Sequence, residues 1–209
     1  MRSPGATLTR REAPSPTADR SLSTEADQDL EEVRTHYAPI PLISPRPLTL
    51  LSNRVDQYSV SGQYKRGESL LRKLLAMRTS SGSEDARASD LQRLGALYLF
   101  LGRPAEAEPQ FRMATELRRK VYGVGHFFVA SSLLGLAEAM AADGQAASAL
   151  DALQAALEII EVECGEVHPQ TAHYLSRLAS VLEAAGRRTE AEAARTRAGT
   201  IRQRLRNAA

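Results

Sequence analysis

Few side chains in this 209-residue chain are of types that do chemistry. Cys164, His168 and His173 are zinc-ligand types close together in sequence, but a structural zinc site takes four ligands and no fourth is spaced to join them. Cys164 is the single cysteine, so no intrachain disulfide can form, which suits a reducing compartment. There is no glycine-rich phosphate loop, no pair of carboxylates at a strand end and no defensible Ser/His/Asp order, so no catalytic, cofactor-binding or metal site is assigned. Arginine is the chemistry that remains. It outnumbers lysine 24 to 3, and the guanidinium group pairs with carboxylates and phosphates through two parallel hydrogen bonds. Seven arginines, Arg187, Arg188, Arg195, Arg197, Arg202, Arg204 and Arg206, fall in residues 187–209 beside only two acids. They suit nucleic acid or an acidic partner. Without interleaved aromatics or a nucleic-acid motif, a solvated terminal helix is the preferred reading.

The elements that would position these groups are set by a period of 42 residues between Leu91 and Ile201. Gly102, Gly144 and Gly186 carry it, as do Gly123 and Gly165, His126 and His168, Leu94, Leu136 and Leu178, and the small residues Ala107, Ala149 and Ala191. Such a period means stacked units that bury a core only against their neighbours. Within one unit, Leu91, Leu94, Gly95, Tyr98 and Leu101 share a helix face that ends at Gly102. Pro104 then opens a second helix whose buried stripe is Ala107, Phe111, Ala114 and Leu117. Gly95, Ala137 and Ala179, with Ala107, Ala149 and Ala191, fall where paired helices cross and where a larger side chain would hold the backbones apart. His168 is thus one turn of a repeat, and the metal reading loses its second ligand.

This unit resembles the tetratricopeptide repeat. The kinesin-light-chain-like subtype is the closer likeness: Gly165-Glu166-Val167-His168-Pro169 has its Gly-x-x-His-Pro loop, and Gly123-Val124-Gly125-His126-Phe127 lacks only the proline. The segment from Gly102 to Pro109 is also similar to that subtype. The resemblance covers three repeats, about residues 86–203. It implies an all-α, right-handed superhelical solenoid of antiparallel helix pairs, with a degenerate fourth repeat at the N-terminal side. There Gly62 lies 40 residues before Gly102, and Arg54 stands where Leu94 would be, a polar change expected to be cheap in a terminal unit facing water. It further implies a non-enzymatic interaction scaffold or adaptor that holds a protein or peptide in its concave groove. A constitutive subunit of a larger assembly is the first alternative, and nucleic-acid binding through the last helix is the second, disfavoured one.

The first helices line that groove, so its candidate residues are Asn53, Gln92, Arg93, Leu99, Leu134, His173, Ser176 and Arg177. Peptide-binding relatives commonly carry asparagine in the column of Asn53, Arg93, Gly135 and Arg177. Only Asn53 keeps it, and the two arginines favour carboxylates on the partner.

Before the repeats, residues 1–24 are rich in Ser, Thr, Pro and Arg and are expected to be disordered. Residues 25–47 read as a short acidic helix around Leu30, Val33 and Tyr37 followed by a proline-rich strap, residues 48–206 as the solenoid, and residues 207–209 as a tail. No secretory apolar core and no run long enough to span a bilayer is present, so a cytoplasmic chain without membrane insertion is expected. A cleaved organelle transit peptide is the alternative; Arg and Ser content fits it, Glu12 and Asp19 do not. The acidic stretch from Glu25 to Tyr37 also has the composition of a peptide able to occupy the groove beside Arg93 and Arg177.

Overall fold

The computed structural model describes residues 16–36, 45–81 and 83–208, and every regular element among them is an α-helix. The order is α1 (Pro16–His36), α2 (Pro45–Val60), α3 (Tyr64–Ser81), α4 (Glu84–Phe100), α5 (Pro104–Tyr122), α6 (Phe127–Ala142), α7 (Ala146–Cys164), α8 (Pro169–Ala184) and α9 (Arg188–Asn207). Helices α2 to α9 form four antiparallel pairs stacked in chain order as a right-handed solenoid. Helix α4 packs on α6 and α6 on α8, whereas α3, α5, α7 and α9 make no comparable approach to one another among the described residues. The first helix of each pair therefore lies on the inside of the curve.

Identical turns fix each pair. Gly62, Gly102, Gly144 and Gly186 all have positive φ, between 69° and 82°, which a side chain would strain. Each lets the next N–H reach back across the turn: Gln63 to the Tyr58 carbonyl, Arg103 to Tyr98, Gln145 to Met140 and Arg187 to Leu182, at 2.8–2.9 Å. The degenerate repeat shares this closure, so its pair is built like the others. Between pairs, His126 and His168 cap the following helices: Nδ1 of His126 accepts from the Phe128 amide at 3.1 Å and that of His168 from the Gln170 amide at 3.2 Å. That is the physical reason the histidine recurs.

Phe111 is the wedge of the central core. An added Cβ at Gly95 would lie 2.8 Å from its ring and one at Gly135 only 2.3 Å, so the two glycines form a slot that holds the aromatic between α4 and α6. Ala107, Ala137, Ala149, Ala179 and Ala191 are all buried at the expected crossings.

The N-terminal region differs from its expectation. Helix α1 begins at Pro16, not near Glu25: proline is well placed in a first turn, and a helix anchored downstream propagates back through residues whose composition alone would not order them. Residues 1–15, and Tyr37 with most of the strap, lie outside the described residues, while Pro45 and Pro47 belong to the first turn of α2. Ala26, Asp29, Leu30 and Val33 form the stripe that α1 turns toward α2 and α3. Asp29 is buried and accepts the Tyr58 hydroxyl on both carboxylate oxygens at 2.7 and 2.6 Å. Arg54 approaches it at 3.4 Å and Glu32 at 2.9 Å, Arg66 pairs with Glu25 at 3.4 Å, and Lys73 pairs with Asp27. Arg54 is therefore no cheap surface change; it meets an acidic helix that covers this end. Among the described residues no acid of that helix pairs with Arg93 or Arg177, and Tyr37, the end of the stretch expected to reach the groove, lies outside them.

Candidate partner-binding groove

Along the concave face the candidate residues fall into rungs joining successive first helices. Arg93 on α4 reaches back to α2, with Nη2 donating to Asp56 Oδ2 at 3.2 Å and Nη1 to Ser52 Oγ and, at 3.3 Å, to Asp90 Oδ1. Arg177 on α8 reaches back to α6 and pairs with Glu138 at 2.5 Å. The step between them, α4 to α6, carries no ion pair among the described residues. There Gln92 Nε2 donates to the Ser131 carbonyl at 3.3 Å, and Leu99, Leu134 and Ala141 are half-buried beside exposed Ala96. The groove thus has two charge-compensated rungs and an uncharged middle.

The remaining candidates divide the same way. Asn53 is exposed. His173 is exposed with its ring edge-on to Tyr174 at 5.9 Å. Ser176 is engaged: Oγ donates to the Ala172 carbonyl at 2.8 Å and accepts from Arg202 Nη2 at 2.6 Å. Gly135 lines no free surface, because Phe111 occupies the space its side chain would take. Half-exposed ion pairs such as Arg93–Asp56 and Arg177–Glu138 contribute about 0–1 kcal/mol each.

Beneath the rungs lies a set of polar residues that spacing alone did not single out. At the junction of α2, α3 and α4, Asp90 is fully buried; it accepts from Arg78 Nε and, at 2.7 Å, from Ser52 Oγ. One repeat later, at the junction of α4, α5 and α6, the same three positions hold Ser132, Arg118 and Gln92. Arg118 Nη1 spreads its two protons over Ser132 Oγ at 2.7 Å, the Phe128 carbonyl at 3.0 Å and Gln92 Oε1 at 3.1 Å. At the third junction the positions are Tyr174, Ile160 and Leu134, and charge is gone. The signal was present in sequence as arginine at 78, 118 and 202, one, two and four units along the stack. Burial pushes the Arg118 guanidinium below its ordinary value, with nearby Asp85 opposing the shift.

The arginines of α9, and Arg187 at its N-cap, are less available than their number suggests. Arg187 pairs with Glu190 at 2.6 Å, Arg197 with Glu161 at 2.7 Å, Arg195 with Glu183, and Arg202 bonds Ser176. Among the described residues, Arg188, Arg204 and Arg206 have no ion pair.

A family model described as the tetratricopeptide repeat matches residues 47–120 and 128–204, that is, α2–α5 and α6–α9 with α1 outside both. Among solved structures, a variant form of the nearly identical TPR-like repeats of a Podosopora anserina kinesin light chain is 19% identical, with a TM-score of 0.74 over 94% of this chain and 100% of that one. MamA of Desulfovibrio magneticus RS-1 is 17% identical, with a TM-score of 0.62 over 90% and 94%. BtubC of P. vanneervenii is 20% identical, with a TM-score of 0.54 over 90% and 92%. At these identities the likeness is one of fold. No curated protein matches the sequence. With most of the solenoid matched by the family model and its turns, caps and crossings repeated in register, the chain belongs to the tetratricopeptide-repeat family.

Proposed function

We propose that the chain is a non-enzymatic adaptor that holds a peptide or protein partner along its concave face, across α2, α4, α6 and α8. The observation that carries this reading is the uncharged middle of the groove. Leu99 and Leu134 are only half-buried there, and they are flanked on either side by an ion-paired rung. Apolar side chains left half-covered between charged borders suit an apolar anchor on a ligand, with the rungs supplying polar contacts around it.

Leu134→Arg tests the groove. Capture from a lysate of the source organism should lose one partner, identified by mass spectrometry, relative to the unaltered chain. The control variant Ala147→Arg, on the exposed outer side of α7, should keep it. A partner retained by Leu134→Arg and lost with Ala147→Arg would place binding on the outer face and reject this reading.

A further inference from the structure

We propose that the chain pairs with a second copy of itself through the edge of its last unit, where the α7–α8 loop meets the C-terminal turn of α9. Three elements build this edge. The last turn of α7 carries Val162 and Glu163, the loop carries Glu166 and Val167, and the last turn of α9 carries Arg204 and Arg206. Glu166, Val167 and Arg204 line one cleft, and Arg197 ties α9 to Glu161 of α7 at 2.7 Å, so these groups share a surface. Apolar area is open on it: Val162 is 87% exposed and Val167 44%.

Charge complementarity selects the occupant. Glu163, Glu166, Arg204 and Arg206 are all exposed, and none makes an ion pair or a side-chain hydrogen bond among the described residues, although Glu166 and Arg204 border the same cleft. The signs divide by element, with both acids on α7 and its loop and both arginines on α9. A two-fold axis over the cleft presents the same patch reversed, so the acids of each copy face the arginines of the other while Val162 and Val167 supply the apolar centre. A partner bearing one sign of charge would meet only half of the patch. The pattern also belongs to the last unit alone. One repeat earlier the counterparts of Glu166 and Arg204 are Val124 and Val162, and two repeats earlier the counterpart of Arg204 is Lys120, which pairs with Glu84 of its own chain. A formal net charge of +2 sets little long-range repulsion between copies. No candidate residue of the concave face takes part, so the inference stands apart from the groove reading, and a dimer would present two grooves to a divalent partner.

The contact is small, one loop and two helix ends per copy, so a dimer dissociating at roughly 1–100 µM is expected. Sedimentation velocity of the full chain across that range measures it, and the coefficient should rise with concentration toward that of a dimer. Glu166→Arg and Arg204→Glu each place like charges opposite one another twice, so each alone should weaken association by at least about tenfold. Mixed in equal amounts, the two variants should dimerise again, because a chain with arginine at both positions then meets a chain with glutamate at both. Arg188→Glu, the same change of charge at the far end of α9, should leave association as it was.

A coefficient that stays at the monomer value throughout would overturn the proposal. So would association that Glu166→Arg and Arg204→Glu leave intact, or a mixture that dimerises no better than its components. Equal weakening by Arg188→Glu and Arg204→Glu would trace the effect to net charge and reject this edge. All four substituted positions are exposed, and circular dichroism matching that of the unaltered chain confirms that each variant is folded before it is scored.

Discussion

The two ends of the solenoid face the same problem and solve it differently. Within the described residues each outer pair has one side that no further repeat covers. At the N-terminal end another helix covers that side: α1 brings Ala26 and Val33 into the core and buries Asp29 against Tyr58, Arg54 and Arg66. At the C-terminal end the sequence itself changes. Where α7 turns Leu150, Leu153, Leu157 and Ile160 toward the next pair, α9 carries Glu192, Arg195, Gly199 and Arg202, and nothing lies near Gly199. One end is therefore closed by tertiary contacts and the other by composition, so substitutions should be costly at the first and mild at the second.

The sharpest way to break this contrast is Asp29→Ala. Removing a buried acid that faces a hydroxyl and two guanidinium groups should cost about 3 kcal/mol, the low end for a broken buried pair because Arg54 and Arg66 can rehydrate. Urea unfolding followed by circular dichroism measures it. A loss no larger than that of Arg195→Ala would mean α1 is an appendage and the ends are alike. Between these extremes stands the interior, where Gly135→Ala should cost about 1–2 kcal/mol. The new methyl meets the Phe111 ring, which Gly95 prevents from retreating, and the gain in helix propensity offsets only part of the overpacking. A melting midpoint at or above that of the unaltered chain would show that the slot is looser than its distances.

What could be read from sequence divides along the same line. Repeated, local features were legible: the glycine turns, the alanine crossings and the helix pairs each depend on residues within one unit. What joins units was not. Arg93 and Arg177 were visible as groove arginines, but their acids, Asp56 and Glu138, lie 37 and 39 residues upstream and acquire meaning only once α2 meets α4 and α6 meets α8. Arg54 looked like a polar substitution at a bare end because Asp29, on a helix outside the period, gives no periodic sign of where it packs. The histidines were seen to recur before their role was evident, since a capping nitrogen needs the next helix's amide in place.

A smaller effect separates the hydrogen bond from the charge at the covered end. Burial, and then the bond to Asp29, push the Tyr58 phenol up to about 12, so it remains a donor throughout the neutral range. Tyr58→Phe should cost about 1–1.5 kcal/mol, because Asp29 keeps Arg54 and Arg66 after losing the hydroxyl. Combined with Asp29→Ala, the two losses should fall short of their sum in a double-mutant cycle. Full additivity would mean that the hydroxyl and the carboxylate do not support one another, and Asp29 would then act through Arg54 and Arg66 alone.

The smallest expected change in stability belongs to the open end, yet there it should alter behaviour in another way. Arg195→Ala should shift the unfolding free energy by no more than about 0.5 kcal/mol, since its pairs with Glu183 and Glu192 are exposed. If α9 is closed by composition, restoring the residues of α7 should reopen it. In the triple variant Glu192→Leu, Gly199→Leu and Arg202→Ile, each chain keeps its fold while α9 presents an apolar stripe like the one α7 buries against α8. Such a stripe has no internal partner, so the variant should associate through it as concentration rises. Sedimentation velocity over a concentration series, with the unaltered chain beside it, measures that association. An unchanged sedimentation coefficient would show that polarity at α9 does not end the stack, and the comparison between a covered end and a composed one would lose its second half.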